Sequence, residues 1–345
     1  MGRPEVKLDP ALVPRDDADN GGSLLYLSTA GGLTQFGAYL DTLMPGAASS
    51  DRHWHSAEDE MVYILSGHAT LIDDDGDHIL GPGDAACWPH GCPNAHHLAN
   101  AHHFANAHHL GNDGTVPCRY IIIGARVAED VCTYSDSGHK QVNAGTTWQV
   151  QDAAGQVLRN GDLPEHLLNL PAVWGTPFDP ANPGQRVLSQ QQGTLPVFVT
   201  EAAYTHPITG RHPGPYACQL LSDPGGLNQF GAFVEELPPG SRSGHRHWHE
   251  TEDEMIFILS GTGILVEDGE TLLVPGDVAC WPAGTPIGHR IDNRSDQALR
   301  YLVIGTRLPD DVIHYADHDL VTTKSGTHRA YAHHDGRPYA IGTAT

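Results

Sequence analysis

The sequence predicts an all-β protein made of two copies of one module. The first observation is repetition: RHWHSAEDEMVYILSG at 52–67 recurs as RHWHETEDEMIFILSG at 246–261. GGLTQFGAYL (31–40) and PGDAACWPHG (82–91) return as GGLNQFGAFV (225–234) and PGDVACWPAG (275–284), the mark of a tandem duplication. The second is texture. Short apolar runs such as MVYILSG, RYIIIGAR, MIFILSG and RYLVIGTR alternate with Gly, Pro, Asn and Asp at strand-and-turn spacing, and no long amphipathic helix interrupts them.

At 345 residues the chain is long enough for two full hydrophobic cores, in agreement with the repeat. We divide it into an N-terminal extension (1–22), a first barrel (23–136), a connector (137–196), a second barrel (197–317) and a C-terminal tail (318–345). Both modules close on a similar phrase, DVCTYSD at 130–136 and DVIHYAD at 311–317. The connector contains LPEHLLNLPAVWGTPFDPANPGQ, too Pro-rich for regular structure but with Leu167, Leu168, Leu170, Val173, Trp174 and Phe178 to bury, so it reads as a strap along a barrel.

In MVYILS, Met61, Tyr63 and Leu65 alternate with Val62, Ile64 and Ser66, so both faces of this strand are largely apolar. One face should line a barrel. The other requires a second sheet, the sister module or another subunit, which makes a two-barrel body the expectation and a homo-oligomer an option.

Acidic residues outnumber basic ones, 42 to 19, for a formal charge of -23, which disfavours nucleic acid or an anionic membrane as partner. The first twenty residues lack an apolar core of signal-peptide length, and no run approaches a membrane span, so a cytoplasmic location is expected. Six cysteines without a CxxC pair suggest reduced thiols. Cys87 and Cys280 sit at matched positions before Trp88 and Trp281, where packing is a better reading than nucleophilic chemistry.

The chemistry-bearing residues lie in the repeated segment. His53 and His55 are two apart on a predicted strand, so both imidazoles leave one face and can reach one ion. Glu60 follows at an odd offset, so SAED must turn to bring its carboxylate round. In the second module the set is His247, His249 and Glu254, joined by His289 after the Pro/Gly turn of GTPIGHRIDN. An HxH pair alone is usually a surface pair; the carboxylate, the later histidine and the duplication argue for metal. Three imidazoles and one carboxylate suit a divalent ion in each barrel, Fe(II), Mn(II), Ni(II), Cu(II) or Zn(II), with positions left open for a small-molecule substrate. Glu58 and Glu252 are competing ligands. Gln35 and Gln229, in TQFGA and NQFGA, are either ordinary strand residues or hydrogen-bond partners of a metal-bound ligand.

These residues resemble the signature of the cupin superfamily. Gly46, His53, His55, Glu60 and Gly67 are similar to the first cupin motif, with a longer first gap, and Gly240, His247, His249, Glu254 and Gly261 repeat it. Gly269, Pro275, Gly276, His289 and Asn293 resemble the second motif, stretched in the middle. The resemblance implies a bicupin: two tandem jelly-roll, double-stranded β-helix barrels, each with a metal near its wide mouth.

The first module departs from this pattern at its last ligand. PNAHHLANAHHFANAHHLGN offers His96, His102 and His108, each followed four residues later by Asn100, Asn106 or Asn112. Counting from Trp88 favours His96 and counting back from Tyr120 favours His108. A hexapeptide slip keeps every side chain on its face, so local pattern cannot choose. We take His96 as the ligand, with the surplus at a hairpin tip, where insertions are best tolerated. The insertion leads us to expect weaker metal binding here than in the second barrel. An accessory metal-sequestering patch is the other functional reading of the array.

Three His plus Glu resembles the oxalate decarboxylase and quercetin dioxygenase groups more than the gentisate dioxygenases. The resemblance therefore implies a metal-dependent enzyme, with Fe(II) or Mn(II) favoured, and an oxygenase of a small organic acid or oxygenated aromatic is the expectation. A non-oxidative decarboxylase or isomerase, and a non-catalytic binding or storage protein, are the alternatives. No catalytic residue beyond the ligands is assigned.

Overall fold

The structure, a computed structural model, describes residues 7–9, 12–17, 22–99, 115–168, 170–200, 205–211 and 216–339. Among them, helix is confined to the short turns Leu27–Ala30 and Glu165–Leu167, and the remaining regular structure is strand.

In the first module one sheet runs, in spatial order, Arg15–Asp17, Ser23–Tyr26, Phe36–Leu43, Cys118–Ala125, Glu60–Ser66, Ala85–Trp88 and Val187–Leu188. Facing it are His53–His55 beside Glu129–Tyr134, and Ala69–Asp73 between Gly76–Leu80 and His97–Ala99. The second module repeats the plan, with Phe230–Leu237, Leu299–Thr306, Glu254–Ser260 and Val278–Trp281 in one sheet and His247–His249 beside Asp310–Tyr315 in the other. The protein is two tandem jelly-roll barrels.

The doubly apolar strand resolves into two cores. Val62 and Ile64 point into the first barrel with Leu71, Leu80 and Trp88. Met61 and Tyr63 point the other way, into a core shared with Phe230, Ala232, Met255, Phe257 and Ile304 of the sister module. The sister barrel therefore covers the outer face. Each large side chain buried there contributes on the order of 1.5–3 kcal/mol, so the modules form one body.

The interface is reciprocal. Residues preceding each barrel pair with the other: Val187 lies opposite Ala86, and Lys7 opposite Ala279. Gly31 approaches Cys280 so closely that an added Cβ would lie 2.3 Å from its sulfur, and Gly225 meets Cys87 in the same way at 2.4 Å. The thiols are packing elements, and burial pushes both well above the ordinary range. Gln35 and Gln229 also belong to this seam and not to a metal-bound ligand. Gln229 Oε1 accepts from Asp59 N (2.7 Å), while Asp59 Oδ2 accepts from the backbone of Asn228 and Gln229. Gln35 and Asp253 repeat the arrangement.

Residues 140–162, inside the segment read from sequence as connector, form the strands Lys140–Ala144, Thr147–Gln151 and Val157–Asp162, which extend the sheet of His53–His55. They escape notice in the sequence because their side chains are half-buried or exposed and, apart from Trp148 and Val150, show little apolar alternation. Leu320–Ser325 and His328–Ala332 likewise extend the second barrel's sheet within the segment read as tail. Further along the connector Trp174 is buried against Ala57 and Val127, its indole N–H donating to Gln229 O at 3.0 Å. Val173, expected to be buried, is exposed, since its neighbour takes the inward position. No described helix is long and apolar enough to cross a membrane.

Candidate metal centre

His53 and His55 occupy one short strand, paired with Tyr134 and Cys132 across the ladder. Residues 56–59 turn the chain, and Glu60 opens a strand of the opposite sheet. His96 is pinned to His53 by two backbone hydrogen bonds, His96 N to His53 O (3.0 Å) and His53 N to His96 O (3.2 Å). Consequently Glu60 Oε2 lies 3.2, 3.7 and 3.8 Å from Nε2 of His96, His55 and His53. In the second barrel, Glu254 Oε2 lies 3.1 Å from His289 Nε2 and 4.0 Å from His249 Nε2. His247, Glu254 and His289 offer ligand atoms all within 4.8 Å of one another, as do His53, Glu60 and His96. The structure thus brings together His53, His55, Glu60 and His96, and separately His247, His249, Glu254 and His289. His102 and His108 lie outside the described residues.

The donor set fits a divalent ion on two counts. Ligand atoms about 2.1 Å from a common ion lie about 3–4 Å apart, which is the spacing seen. The tautomers also agree. Each Nδ1 faces an oxygen: Asp51 O (2.9 Å), Asp130 Oδ2 (2.7 Å) and Asn94 O (3.2 Å) for His53, His55 and His96. In the second barrel the acceptors are His245 O (2.9 Å), Asp311 Oδ2 (2.6 Å) and Ile287 O (3.4 Å) for His247, His249 and His289. A neutral imidazole donating from Nδ1 presents an unprotonated Nε2, the form that binds metal.

Electrostatics sharpen this. Burial alone would raise Glu60 and Glu254, but the surrounding imidazoles reverse it; Glu60 is held far below the carboxylate range and Glu254 at about 2. Burial holds His247 down at about 4 and lowers His53 too. For His55 burial is outweighed by Asp130 and its neighbouring carboxylates, which raise it to about 10. An ion entering the first site would therefore compete with a proton at His55. Glu58 and Glu252 stand on the outer, Nδ1 side of His55 and His249, 3.8 and 3.7 Å away, with backbone N–H groups of Val127 and Leu308 on their oxygens.

Several site residues were missed in the sequence. Asp130 and Asp311 orient His55 and His249, and both belong to the repeated closing phrases, whose matched acidic residue was the available signal. Trp88 stacks on His96 (centroids 3.6 Å apart) and Trp281 on His289 (3.8 Å). Tyr134 and Tyr315 flank His53 and His247 at 5.9 and 6.2 Å. Deeper in the barrels Tyr120 donates to Asp41 (2.5 Å) and Tyr301 to Glu235, whose carboxyl burial raises to about 7.

Comparison with known proteins agrees with this architecture. A cupin domain family model matches residues 39–124 and 233–305. An oxalate-binding protein of Thermotoga maritima is 34% identical over 87 residues, 25% of this chain and 69% of that protein. A sugar phosphate isomerase of the cupin superfamily from Silicibacter pomeroyi is 40% identical over 37% of this chain and 83% of its own, with a TM-score of 0.35. An oxalate decarboxylase of Lactobacillus farciminis, solved with formate, is 14% identical but superposes over 92% of this chain and 90% of its own at a TM-score of 0.52, a likeness of fold. With the cupin model matched once in each barrel and the motif residues gathered into one cluster in each, the chain belongs to the cupin superfamily as a two-domain bicupin.

Proposed function

We propose that the protein is a metal-dependent bicupin enzyme whose substrate, a small organic acid or an oxygenated aromatic, binds directly to an ion held by His53, His55, Glu60 and His96 or by His247, His249, Glu254 and His289. The observation that carries this reading is the tautomer pattern: every Nδ1 in both centres is directed at an oxygen acceptor, so each imidazole, when neutral, presents its Nε2 lone pair to the shared centre. When bound, the ion supplies Lewis acidity or, if Fe or Mn, an O2-reactive centre. The chain supplies the rest. Asp130 and Asp311 fix the second imidazole of each set, Trp88 and Trp281 cover one face of the last, and Tyr120 and Tyr301 each hold a proton against a carboxylate.

We take oxygenation as the reaction. A non-oxidative decarboxylase is supported by a different observation, the 34% identity over 87 residues to an oxalate-binding protein. Purification without oxygen, reconstitution with Fe(II) or Mn(II), and parallel measurement of O2 uptake and CO2 release on a panel of acids and phenols separates them. Stoichiometric O2 uptake is expected; CO2 release without it would establish the decarboxylase. Inertness of fully loaded protein would overturn the enzymatic reading in favour of a binding protein.

A further inference from the structure

We propose that the cavity of the first barrel takes an aromatic ring carrying adjacent oxygen donors, the catechol class, and not a small dicarboxylate; this rests on the metal centre proposed above. The cavity has a volume of about 360 Å³, and His53, Glu60 and His96 form its polar end. Leu24, Tyr39, Val62, Leu98 and Ile122 supply apolar lining beyond it, Ser49, Ser50 and His97 add polar groups, and no Lys or Arg is among the described lining residues.

Arg126 does come close, but its guanidinium is turned away, donating to Leu33 O (3.0 Å), Ser28 Oγ (3.3 Å) and Tyr39 Oη (3.2 Å). The tyrosine hydroxyls are likewise engaged: Tyr26 donates to Asp16 (2.6 Å) and Tyr120 to Asp41 (2.5 Å), while Tyr39 accepts from Arg126. Tyr26 and Tyr39 meet edge to face at 5.4 Å, which fixes both rings. Ser49 Oγ accepts from Leu98 N (3.1 Å) and His97 Nδ1 faces Ser50 O (3.0 Å), so away from the ligands the walls offer mainly apolar surface, ring faces and polar groups that already have partners.

Charge decides between ligand classes. A dication with one carboxylate ligand carries a net single positive charge, which a singly ionised catechol balances while its ring fills the apolar volume. Oxalate would chelate with both carboxylates, make the centre net negative, and turn its outer oxygens toward a lining that has no Lys or Arg among the described residues to meet them. It also has no apolar body for a cavity of the size that normally buries a larger molecule.

The test uses full-length protein carrying His247→Ala, which confines Co(II) to the first barrel, titrated anaerobically with catechol and with oxalate while the cobalt absorption is followed. Catechol should shift the band saturably with a Kd at least about tenfold below that of oxalate. Val62→Trp, which fills the cavity, should weaken catechol by about tenfold or more and leave oxalate unchanged. Ser50→Arg, at an exposed position on the cavity lining, supplies the missing cation and should move the preference toward oxalate. Oxalate binding as tightly as catechol, or a preference untouched by both substitutions, overturns the proposal; if Val62→Trp does not fold, Ser50→Arg decides alone. A cobalt band that neither compound perturbs overturns the ligand class and leaves the metal centre standing. Absence of the band overturns both.

Discussion

Lys324 places its ammonium on the carboxylate of Glu252 behind His249, whereas at the matched register position of the first barrel, opposite Asp130, stands Asn143. The two candidate centres therefore share their ligand sets but differ in what stands behind the second imidazole, an ammonium in one and an amide in the other. A dication should bind more tightly to the first barrel, reversing the order expected from the inserted hexapeptides. At the separations involved, one charge in a partly buried site is worth about tenfold or more in affinity. Competitive titration with Mn(II) or Co(II) should show Lys324→Asn tightening the second site and Asn143→Lys weakening the first.

Substituting His247 with Ala should remove about one ion per chain, and His96→Ala should remove the other, because each eliminates an Nε2 from a four-ligand set. Elemental analysis after metal reloading checks this. Unchanged metal in the His96 variant, with loss in His108→Ala, would show that the register runs through the third hexapeptide.

Deleting residues 101–112 removes two hexapeptides and leaves His96 and its bridge to His53 in place. The shortened protein should fold and retain metal, with stability equal or slightly higher, since closing a shorter loop costs less by under about 1 kcal/mol. Loss of both metal and solubility would show that the array is built into the first barrel.

Above pH 6.5 the metal-free protein should lose stability as pH rises. His55 is held at about 10 against an ordinary 6.5, so the folded state binds the proton more tightly than the unfolded chain. Its contribution is complete below pH 6.5 and disappears as pH climbs through about 10. Asp130→Asn removes the main partner, and a Tm-against-pH profile should flatten on its alkaline side. Metal affinity should show the complementary trend, falling as pH drops and protons compete for His55.

Gly31→Ala and Gly225→Ala each drive a methyl into a cysteine of the sister module. A loss of about 1–3 kcal/mol is expected from overpacking, with metal content unchanged. Denaturant unfolding with metal analysis on the same samples separates interface damage from damage to the site.

Much of the site was legible because strand geometry converts spacing into direction. HWH puts two imidazoles on one face whatever the rest of the fold, and the duplication showed that the pattern was not accidental. His96 could be favoured by counting from Trp88, since the strand carrying Trp88 and the turn after it are matched in both modules. The roles of Gln229 and Asp59, 170 residues apart, could not be inferred, because a polar residue in a strand looks the same whether it faces solvent, ligand or a partner module. Residues 140–162 were hidden for a related reason: strands with little apolar surface to bury leave little periodicity.

By itself the sequence determined the all-β class, the duplication and a set of candidate ligands complete in the second barrel and open among His96, His102 and His108 in the first, all of which follow from local periodicity and repeated spacing. Only the tertiary structure decided that Met61 and Tyr63 face the sister barrel, that Asp130 and Asp311 sit behind His55 and His249, and that the described lining of the first cavity includes no Lys or Arg. Each of these depends on which distant strands become neighbours, and that choice is made by burial of the whole molecule and not by any one segment.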